Sequence, residues 1–330
     1  MKTIFLCDKK RNIDLVFKTT VDKIEGIDKT VYTYDDVVCG AFDLSSVEYA
    51  FSTWGTPKFS TDEIKKYLPN LKCLFYGAGS VQPFGRPYLD AGVRIFSAWG
   101  ANAVPVAEFT VAEIILANKG YYLTNRLFHK DGNRERSKAT SATCPGNYGE
   151  TVGIIGAGMI GKLIIKMLKA YNLKVIVFDP FLPDEKAEEL GVEKCDLPSL
   201  FERAFVVSNH LANNPRTVGM LNYDLFKRMR EKAVFINTGR GAQVVEDDLV
   251  RILRERPDLT ALLDVTDPEP PIENHPFYTL ENCFLTPHIA GSIGNEVGRM
   301  GEYMLEEYNS YISGEPCKYE VTKDMLETMA

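Results

Sequence analysis

The sequence predicts an α/β protein with two doubly wound parallel sheets, and three observations support this prediction. Apolar runs of strand length alternate with helical stretches from Thr151 onward. The same alternation runs in weaker form through the first hundred residues. The chain has 330 residues, which is enough for two domains, because a single core stops growing near about 250–300 residues.

The second half of the chain carries the stronger pattern. Continuous apolar strands separated by helices are typical of a parallel sheet covered on both faces, and six such strands make a doubly wound sheet. The predicted strands are Val152–Ile155, Lys174–Phe178, Phe205–Ser208, Ala233–Asn237, Ala261–Val265 and Cys283–Thr286, and the predicted helices are Met159–Tyr171, Asp184–Leu190, Tyr223–Arg230 and Glu246–Arg256.

The first half forms a second α/β unit rather than a tail. Ser60 and Glu63 have the spacing of a capping box at the start of a helix. Lys130–Asn147 is polar and is interpreted as a loop. The predicted strands are Thr3–Leu6, Val47–Phe51, Cys73–Tyr76 and Arg94–Phe96, and the predicted helices are Thr61–Tyr67, an amphipathic Pro105–Gly120 and, near the end of the chain, Glu296–Ile312.

Composition excludes several classes of function. A net charge of −7 and a pI of about 5.3 argue against nucleic acid or an anionic membrane as the main partner. Seven scattered cysteines without a Cys-x-x-Cys pair favour a reducing compartment over a disulfide framework. The apolar stretch at the N-terminus is too short for a signal peptide, and no uninterrupted apolar run approaches the roughly 18 residues of a membrane span. We therefore expect a cytoplasmic protein with no metal site.

A glycine pattern lies between the first strand and the first helix of the second half. In Gly156-x-Gly158-x-x-Gly161, the first glycine permits a tight turn and the second lets a pyrophosphate approach backbone N–H groups. The third lets the helix pack closely on the strand, and the helix N-terminus then faces the phosphate charge. The alternative is a glycine turn without a ligand. The strand-turn-helix context favours a dinucleotide-binding Rossmann domain.

An acidic residue follows the second strand of this half. Asp179 lies 18 residues after Gly161, where a carboxylate would bind the adenosine ribose hydroxyls. Its charge would repel the 2′-phosphate of NADP, and Pro180–Pro183 contains no Arg or Lys. The sequence therefore predicts NAD as the cofactor. In the alternative interpretation Asp179 only starts the turn into Pro180.

Three polar side chains follow three consecutive predicted strands. Arg240 is a candidate carboxylate clamp, because a guanidinium holds a carboxylate in two parallel hydrogen bonds. Glu269 lies in a proline-rich turn, and His288 is suited to proton transfer near neutral pH. Each has a structural alternative: a surface arginine, or a histidine satisfied in the core. Together they favour interconversion of a 2-keto acid and a 2-hydroxy acid, in which a nicotinamide handles the hydride.

These motifs resemble those of the D-isomer-specific 2-hydroxyacid dehydrogenase family in sequence, order and spacing. The resemblance covers most of the chain and rests on Val152–Gly161, Asn237–Gly241, Asp264–Pro270 and Thr286–Gly291. It implies that Arg240, Glu269 and His288 are the catalytic residues. It also implies that the loop Gly77–Gly79 binds the substrate carboxylate through its backbone amides.

The resemblance further implies an inserted domain and a set of ligand contacts. A Rossmann NAD-binding domain, 103–295, would interrupt a flavodoxin-like substrate domain made of 1–102 and 296–330. A homodimer is expected, because family members commonly pair through the cofactor domain. The implied substrate contacts are Ala78, Gly79 and Arg240, and the implied cofactor contacts are Gly156, Gly158, Met159, Ile160, Gly161, Asp179, His210, Thr217, Thr238, Asp264 and His288.

The chain also departs from the family pattern. Ser80–Pro87 replaces a common Asp-Asn pair after Gly79, and Trp99 lies where a small residue or proline is common. Leu211–Pro215 departs from the usual cofactor loop, although Thr217 matches it. Arg86 and Trp99 are thus candidates for side-chain selectivity, with a structural role as the alternative for each. His275 is interpreted as structural, and His129 is unassigned.

Two other functions compete with this prediction. Formate dehydrogenases are similar overall but pair the histidine with a glutamine, so Glu269 disfavours that activity. An NAD-sensing binding protein, similar to corepressors that share the fold, would need a surface for a protein partner, because fold and cofactor site alone do not determine function.

Overall fold

The computed structural model describes residues 2–327 and separates into two units. The first unit consists of the chain up to Asn102 and the chain from Ser292 onward, and the second unit is Ala103–Gly291. The predicted boundaries lie at 102/103 and 295/296, so the first unit resumes four residues earlier than expected. Residues 328–330 of the predicted substrate domain lie outside the described residues.

The strands are short and, in the interior of each sheet, apolar. Val, Ile, Leu and Phe dominate them, as expected for a pleated surface buried on both sides. They are β1 (Lys2–Leu6), β2 (Ile27–Tyr32), β3 (Val47–Ser52), β4 (Cys73–Tyr76), β5 (Arg94–Ser97), β6 (Tyr148–Ile155), β7 (Asn172–Phe178), β8 (Glu193–Lys194), β9 (Val206–Asn209), β10 (Val234–Asn237), β11 (Thr260–Leu263), β12 (Cys283–Leu285) and β13 (Glu320–Val321).

The α-helices connect these strands. Short 3₁₀ segments also occur, at Val21–Lys23, Gly241–Gln243, Pro276–Tyr278, Gly294–Glu296 and Asp324–Glu327. The α-helices are α1 (Lys10–Val16), α2 (Tyr34–Val38), α3 (Thr61–Tyr67), α4 (Gly85–Asp90), α5 (Trp99–Asn118), α6 (Tyr121–Asp131), α7 (Arg134–Ala142), α8 (Met159–Leu168), α9 (Asp184–Leu190), α10 (Leu197–Arg203), α11 (Tyr223–Phe226), α12 (Glu246–Glu255) and α13 (Val297–Ser313).

The sheet of the first unit has the order β13-β5-β4-β3-β1-β2. Its strands are parallel except β13, which pairs antiparallel with β5 at one edge. The order β2-β1-β3-β4-β5 is that of flavodoxin-like sheets. The core includes Phe51 and Phe75 from the strands and Met304 and Tyr308 from α13, so the end of the chain completes this unit.

The sheet of the second unit has the order β12-β11-β10-β9-β6-β7-β8, and every pair is parallel. Successive residues of β10 belong to different hydrophobic clusters: Phe235 packs on one face of the sheet and Ile236 on the other. Both faces are therefore covered, as in a doubly wound sheet. The strand order reverses between β6 and β9, where ligands bind in such sheets.

The structure confirms the capping box and corrects three of the sequence-based assignments, of which the third concerns α5. Ser60 Oγ accepts a hydrogen bond from Glu63 N, and Glu63 accepts one from Ser60 N. The predicted loop Lys130–Asn147 was wrong in part, because α7 forms inside it behind Asn133, whose side chain caps Arg136 N. The sheet of the second unit has a seventh strand, β8, whose two charged residues carry no apolar pattern.

The prediction for α5 was wrong in its start and its character. The helix begins at Trp99, and Pro105 lies inside it rather than at its first position. Among residues 2–327, α5 is the one helix that is long enough and apolar enough to cross a membrane, judged by length and composition alone. Glu108 and Glu113 interrupt its apolar runs, and 56% of its most apolar window is buried in the protein. Its apolar character therefore matches that of a buried core helix.

Candidate active site

The glycine loop follows β6 and packs backbone against backbone. Gly156 has φ of +92°, and a Cβ there would lie 2.8 Å from the His210 carbonyl oxygen. A Cβ on Gly161 would overlap the Gly156 carbonyl group. By contrast, nothing in the protein lies within 4 Å of a Cβ built on Gly158. The loop therefore leaves open space above its second glycine, where the pyrophosphate of a dinucleotide lies in this type of sheet.

The start of α8 is an open anion site with a carboxylate beside it. Gly158 is the N-cap, and no side chain caps the helix, so the first N–H groups, including those of Met159 and Ile160, remain available. Asp179 accepts hydrogen bonds from Ala157 N at 2.7 Å and Phe181 N at 2.8 Å. Its carboxylate is thus oriented against the glycine loop. Open amides, open space and an adjacent carboxylate fit a dinucleotide.

A buried polar cluster lies behind the loop. The His210 Nε2 atom is 2.8 Å from Ser208 Oγ, and its Nδ1 atom is 3.3 Å from Thr238 Oγ1. Thr238 in turn contacts Thr110 Oγ1 on α5 at 3.1 Å. Burial lowers the pKa of His210 to about 3, so its ring stays neutral. Thr217 lies nearby in sequence, but its hydroxyl is used to hold its own loop, donating to Ala212 O at 2.7 Å.

The loop that carries His288 is wrapped around a buried carboxylate. Asp264 accepts from Thr286 Oγ1 at 2.7 Å, from Ile289 N at 2.8 Å and from Ala290 N at 2.9 Å. His288 N donates to the Asp264 carbonyl oxygen at 3.1 Å. His288 itself has φ of +56°, a left-handed conformation that side chains rarely adopt. Asp264 therefore holds a strained residue in a defined place.

The predicted catalytic residues of the second unit come together. Glu269 Oε1 lies 2.6 Å from His288 Nδ1, and both side chains are exposed. Arg240 Nη1 donates to Gly239 O at 2.7 Å. Burial lowers the pKa of Arg240, and the charge of Glu269 opposes that shift, so the two side chains interact electrostatically. Because β10, β11 and β12 are parallel neighbours, the three residues follow the same edge of the sheet.

A network of buried amides positions the arginine loop, and the sequence reasoning missed it. Asn209 Nδ2 donates to Asn237 Oδ1 at 3.0 Å and to Gln243 Oε1 at 2.6 Å. Asn237 Nδ2 donates to Arg240 O, and Gln243 Oε1 accepts from Arg240 N. The sequence does contain one indication of this network: each of two buried strands, β9 and β10, ends in an asparagine, Asn209 and Asn237.

In the first unit, the loop after β4 presents backbone N–H groups. Ser97 Oγ donates to the carbonyl oxygens of Ala78 at 2.9 Å and Gly79 at 2.5 Å, which fixes the loop. Among residues 2–327, no acceptor is in reach of the N–H groups of Gly79 and Ser80. Two adjacent free amides are suited to an anion such as a carboxylate.

The candidates for side-chain selectivity have structural partners. Arg86 forms an ion pair with Asp90 one helical turn later, at 2.9 Å. Trp99 packs edge-on against Tyr319 with ring centroids 5.5 Å apart. Both interactions favour the structural alternative for these residues.

The sequence analysis also missed Glu113, a half-buried glutamate on α5 whose Oε2 atom is buried. No hydrogen-bond partner for Glu113 Oε2 is found in the described part of the chain. Burial, and then the charge of Asp264, raise the pKa of Glu113 to about 8. Glu113 therefore carries a proton at neutral pH, which spares Asp264 a neighbouring negative charge.

Replacing Glu113 with glutamine should stabilise the protein in a pH-dependent way. A raised carboxyl pKa destabilises the fold progressively as pH rises from about 4.5 to about 8, because ionisation then opposes burial. We expect equal free energies of unfolding at pH 4.5 and a gain of up to about 5 kcal/mol for the variant at pH 8.5, because each unit of pKa shift is worth about 1.4 kcal/mol. Urea titrations at both pH values measure the free energy of unfolding. Glu108→Gln is the control, because Glu108 is an exposed glutamate on the same helix. A gain for Glu113→Gln that does not change with pH would contradict this account.

The doubly wound sheet, the open glycine loop and Asp179 define a protein that binds a nicotinamide dinucleotide. Residues 112–290 match the family model described as "D-isomer specific 2-hydroxyacid dehydrogenase, NAD binding domain". The chain belongs to the D-isomer-specific 2-hydroxyacid dehydrogenase family, as the sequence motifs predicted.

Relatives carry names of this family. A D-3-phosphoglycerate dehydrogenase of Methanocaldococcus jannaschii is 31% identical over 68% of this chain and 42% of its own length. The human glyoxylate reductase/hydroxypyruvate reductase is 36% identical over 52% of each chain. A probable 2-hydroxyacid dehydrogenase from Rhizobium etli, solved with NADP, HEPES and tartaric acid, is 25% identical with a TM-score of 0.72 over 98% of both chains. The chain spans less than half the length of the phosphoglycerate dehydrogenases that it matches.

Proposed function

We propose that this protein reduces a small 2-keto acid to the D-2-hydroxy acid with NADH. The observation that carries the proposal is the 2.6 Å contact between Glu269 and His288 at the edge of the dinucleotide-binding sheet. A histidine with an oriented Nδ1–H is a suitable acid at its other nitrogen, Nε2. When bound, the reduced nicotinamide supplies the hydride.

Each residue has a stated task in this proposal. His288 donates a proton from Nε2 to the carbonyl oxygen of the keto acid, and Glu269 accepts the Nδ1–H and orients the ring. Arg240 binds the substrate carboxylate and polarises the ketone, and its partial burial strengthens both interactions. The backbone amide of Gly79 is our candidate for a further carboxylate contact. The amide of Ala78, which was also predicted, donates to Tyr76 O at 2.9 Å in this structure and would have to give up that bond.

The proposal extends to cofactor choice and to the state of the protein. Asp179 would bind the ribose hydroxyls and disfavour NADP, because its charge lies beside the glycine loop. The remaining cofactor contacts are proposed for Gly156, Gly158, Gly161, His210, Thr217, Thr238 and Asp264. We also propose a cytoplasmic homodimer that contains a substrate domain and an NAD-binding domain.

The test is consumption of NADH by purified protein against a panel of 2-keto acids, from glyoxylate and pyruvate to phenylpyruvate and phosphorylated acids. We expect turnover on one chemical group of the panel, with kcat/KM for NADH at least about fivefold above that for NADPH, since one charge repulsion is worth about 1 kcal/mol or more. No turnover, with NADH bound and a stable protein partner recovered, would favour a sensing protein. Reduction of NAD by formate would contradict the assignment of Glu269.

A further inference from the structure

The segment that carries Glu269 has little structure of its own. Residues 266–272, here called the glutamate loop, follow β11 without helix or strand. Three of the seven residues, Pro268, Pro270 and Pro271, lack an N–H group and cannot donate a backbone hydrogen bond. Within the loop, Thr266 Oγ1 donates to Pro268 O at 3.0 Å. The position of Glu269 therefore depends on contacts from outside the loop.

One such contact comes from the first residue of α12. Glu246 Oε1 accepts a hydrogen bond from Asp267 N at 2.8 Å, two residues before Glu269. The helix is itself anchored, because Leu249 and Val250 are buried in the core. Glu246 thus connects a rigid helix to the backbone of the glutamate loop.

A histidine lies beside the second carboxylate oxygen of Glu246. His275 Nδ1 accepts from Phe277 N at 3.3 Å, which assigns the ring proton to Nε2. That nitrogen lies 3.6 Å from Glu246 Oε2, and only 11% and 14% of the two side chains are exposed. The His275 ring also packs against Phe277 with centroids 4.4 Å apart. His275 is structural, as the sequence analysis interpreted it, and its contacts explain which structure it serves.

The same loop abuts the arginine loop. A Cβ on Gly241 would overlap the carbonyl group of Thr266, so the backbone after Arg240 lies directly against the start of the glutamate loop. A shift of the glutamate loop would consequently disturb two of the proposed catalytic residues together.

We propose that Glu246, supported by His275, is a positioning residue that holds the glutamate loop so that Glu269 reaches His288. The inference rests on the proposed function, because it assigns Glu246 a role in the same reaction. Burial raises the pKa of Glu246 to about 7, and in either protonation state an oxygen remains to accept the Asp267 N–H. An amide oxygen can accept the same bond, so glutamine should replace the glutamate.

The test compares Glu246→Ala, Glu246→Gln and the control Asp247→Ala, an exposed carboxylate in the same helical turn. We expect kcat to fall about tenfold in Glu246→Ala, the equivalent of one lost hydrogen bond, with KM for the keto acid and Kd for NADH changed less than twofold. Glu246→Gln should retain at least about a third of wild-type kcat, and Asp247→Ala should retain all of it. Spectra of ¹⁵N-histidine-labelled protein should show the Nδ1 proton of His288, which is assigned by its absence in His288→Ala. Among the three variants compared, only Glu246→Ala should lose this signal.

The outcomes separate this inference from the proposed function. Wild-type kcat and an intact Nδ1 signal in Glu246→Ala, with His288→Ala inactive, would overturn the role of Glu246 alone. A loss of NADH binding in parallel with kcat would also overturn it, because that pattern indicates a general structural role. Full activity of His288→Ala would overturn the proposed function, while the Nδ1 signal in Glu246→Ala would still report whether Glu246 holds the pair together.

Discussion

Replacing His288 with alanine should lower kcat for keto-acid reduction by about 10²–10⁴-fold, the usual contribution of a positioned acid. NADH should still bind with a Kd within twofold of wild type, because the glycine loop and Asp179 lie elsewhere on the sheet edge.

Stopped-flow or steady-state NADH oxidation gives kcat, and quenching of protein fluorescence or calorimetry gives Kd. His129→Ala is the matched control, because His129 is an exposed histidine on α6 in the same unit. A variant that loses NADH binding along with turnover would refute the assignment of His288 as the proton donor. Retained turnover would refute it as well.

The second large effect is expected at the glycine loop, where two alanine substitutions should behave differently. Gly158→Ala should weaken NADH binding by about 10–100-fold, the equivalent of the 1–3 kcal/mol cost of an overlapping methyl group, without changing Tm in the absence of cofactor. Gly158 has φ of −68°, which alanine adopts freely, and no protein atom lies within 4 Å of the added Cβ. Only a bound phosphate group would meet it.

Gly161→Ala should weaken NADH binding and also lower Tm. Its Cβ would overlap the Gly156 carbonyl, which is backbone and cannot rotate away, so α8 must move from the sheet. Thermal unfolding without cofactor and NADH titration of both variants test the pair. Equal NADH affinity in Gly158→Ala and wild type would mean that the pyrophosphate does not lie over the second glycine.

The sequence grouped side chains correctly wherever their position follows from the end of a parallel strand. Arg240, Glu269 and His288 could be grouped because each follows a parallel strand, and neighbouring parallel strands end at one edge of a sheet. The side-chain partner of His288 could not be derived in this way. It depends on the left-handed backbone of His288 and on the path of the glutamate loop, neither of which has a local pattern.

The residues that hold the site in place were harder to predict. Glu246 reads as an ordinary acidic residue in the first turn of a helix, and Glu113 as one polar residue in an apolar helix. Glu246 accepts a hydrogen bond from Asp267, more than twenty residues away, and the pKa of Glu113 is raised in part by the charge of Asp264, more than a hundred residues away. Similarly, β8 has no apolar pattern, because it lies at the edge of its sheet, and α7 has none among its nine residues.

The burial of His210 has a consequence for kinetic measurements on this protein. A ring that remains uncharged down to about pH 3 contributes no ionisation between pH 5 and 9. In a plot of log kcat/KM against pH, a bend in that interval therefore originates from another group. His210 therefore keeps a constant charge over this range, and the pH profile of the proposed catalytic residues contains no contribution from it.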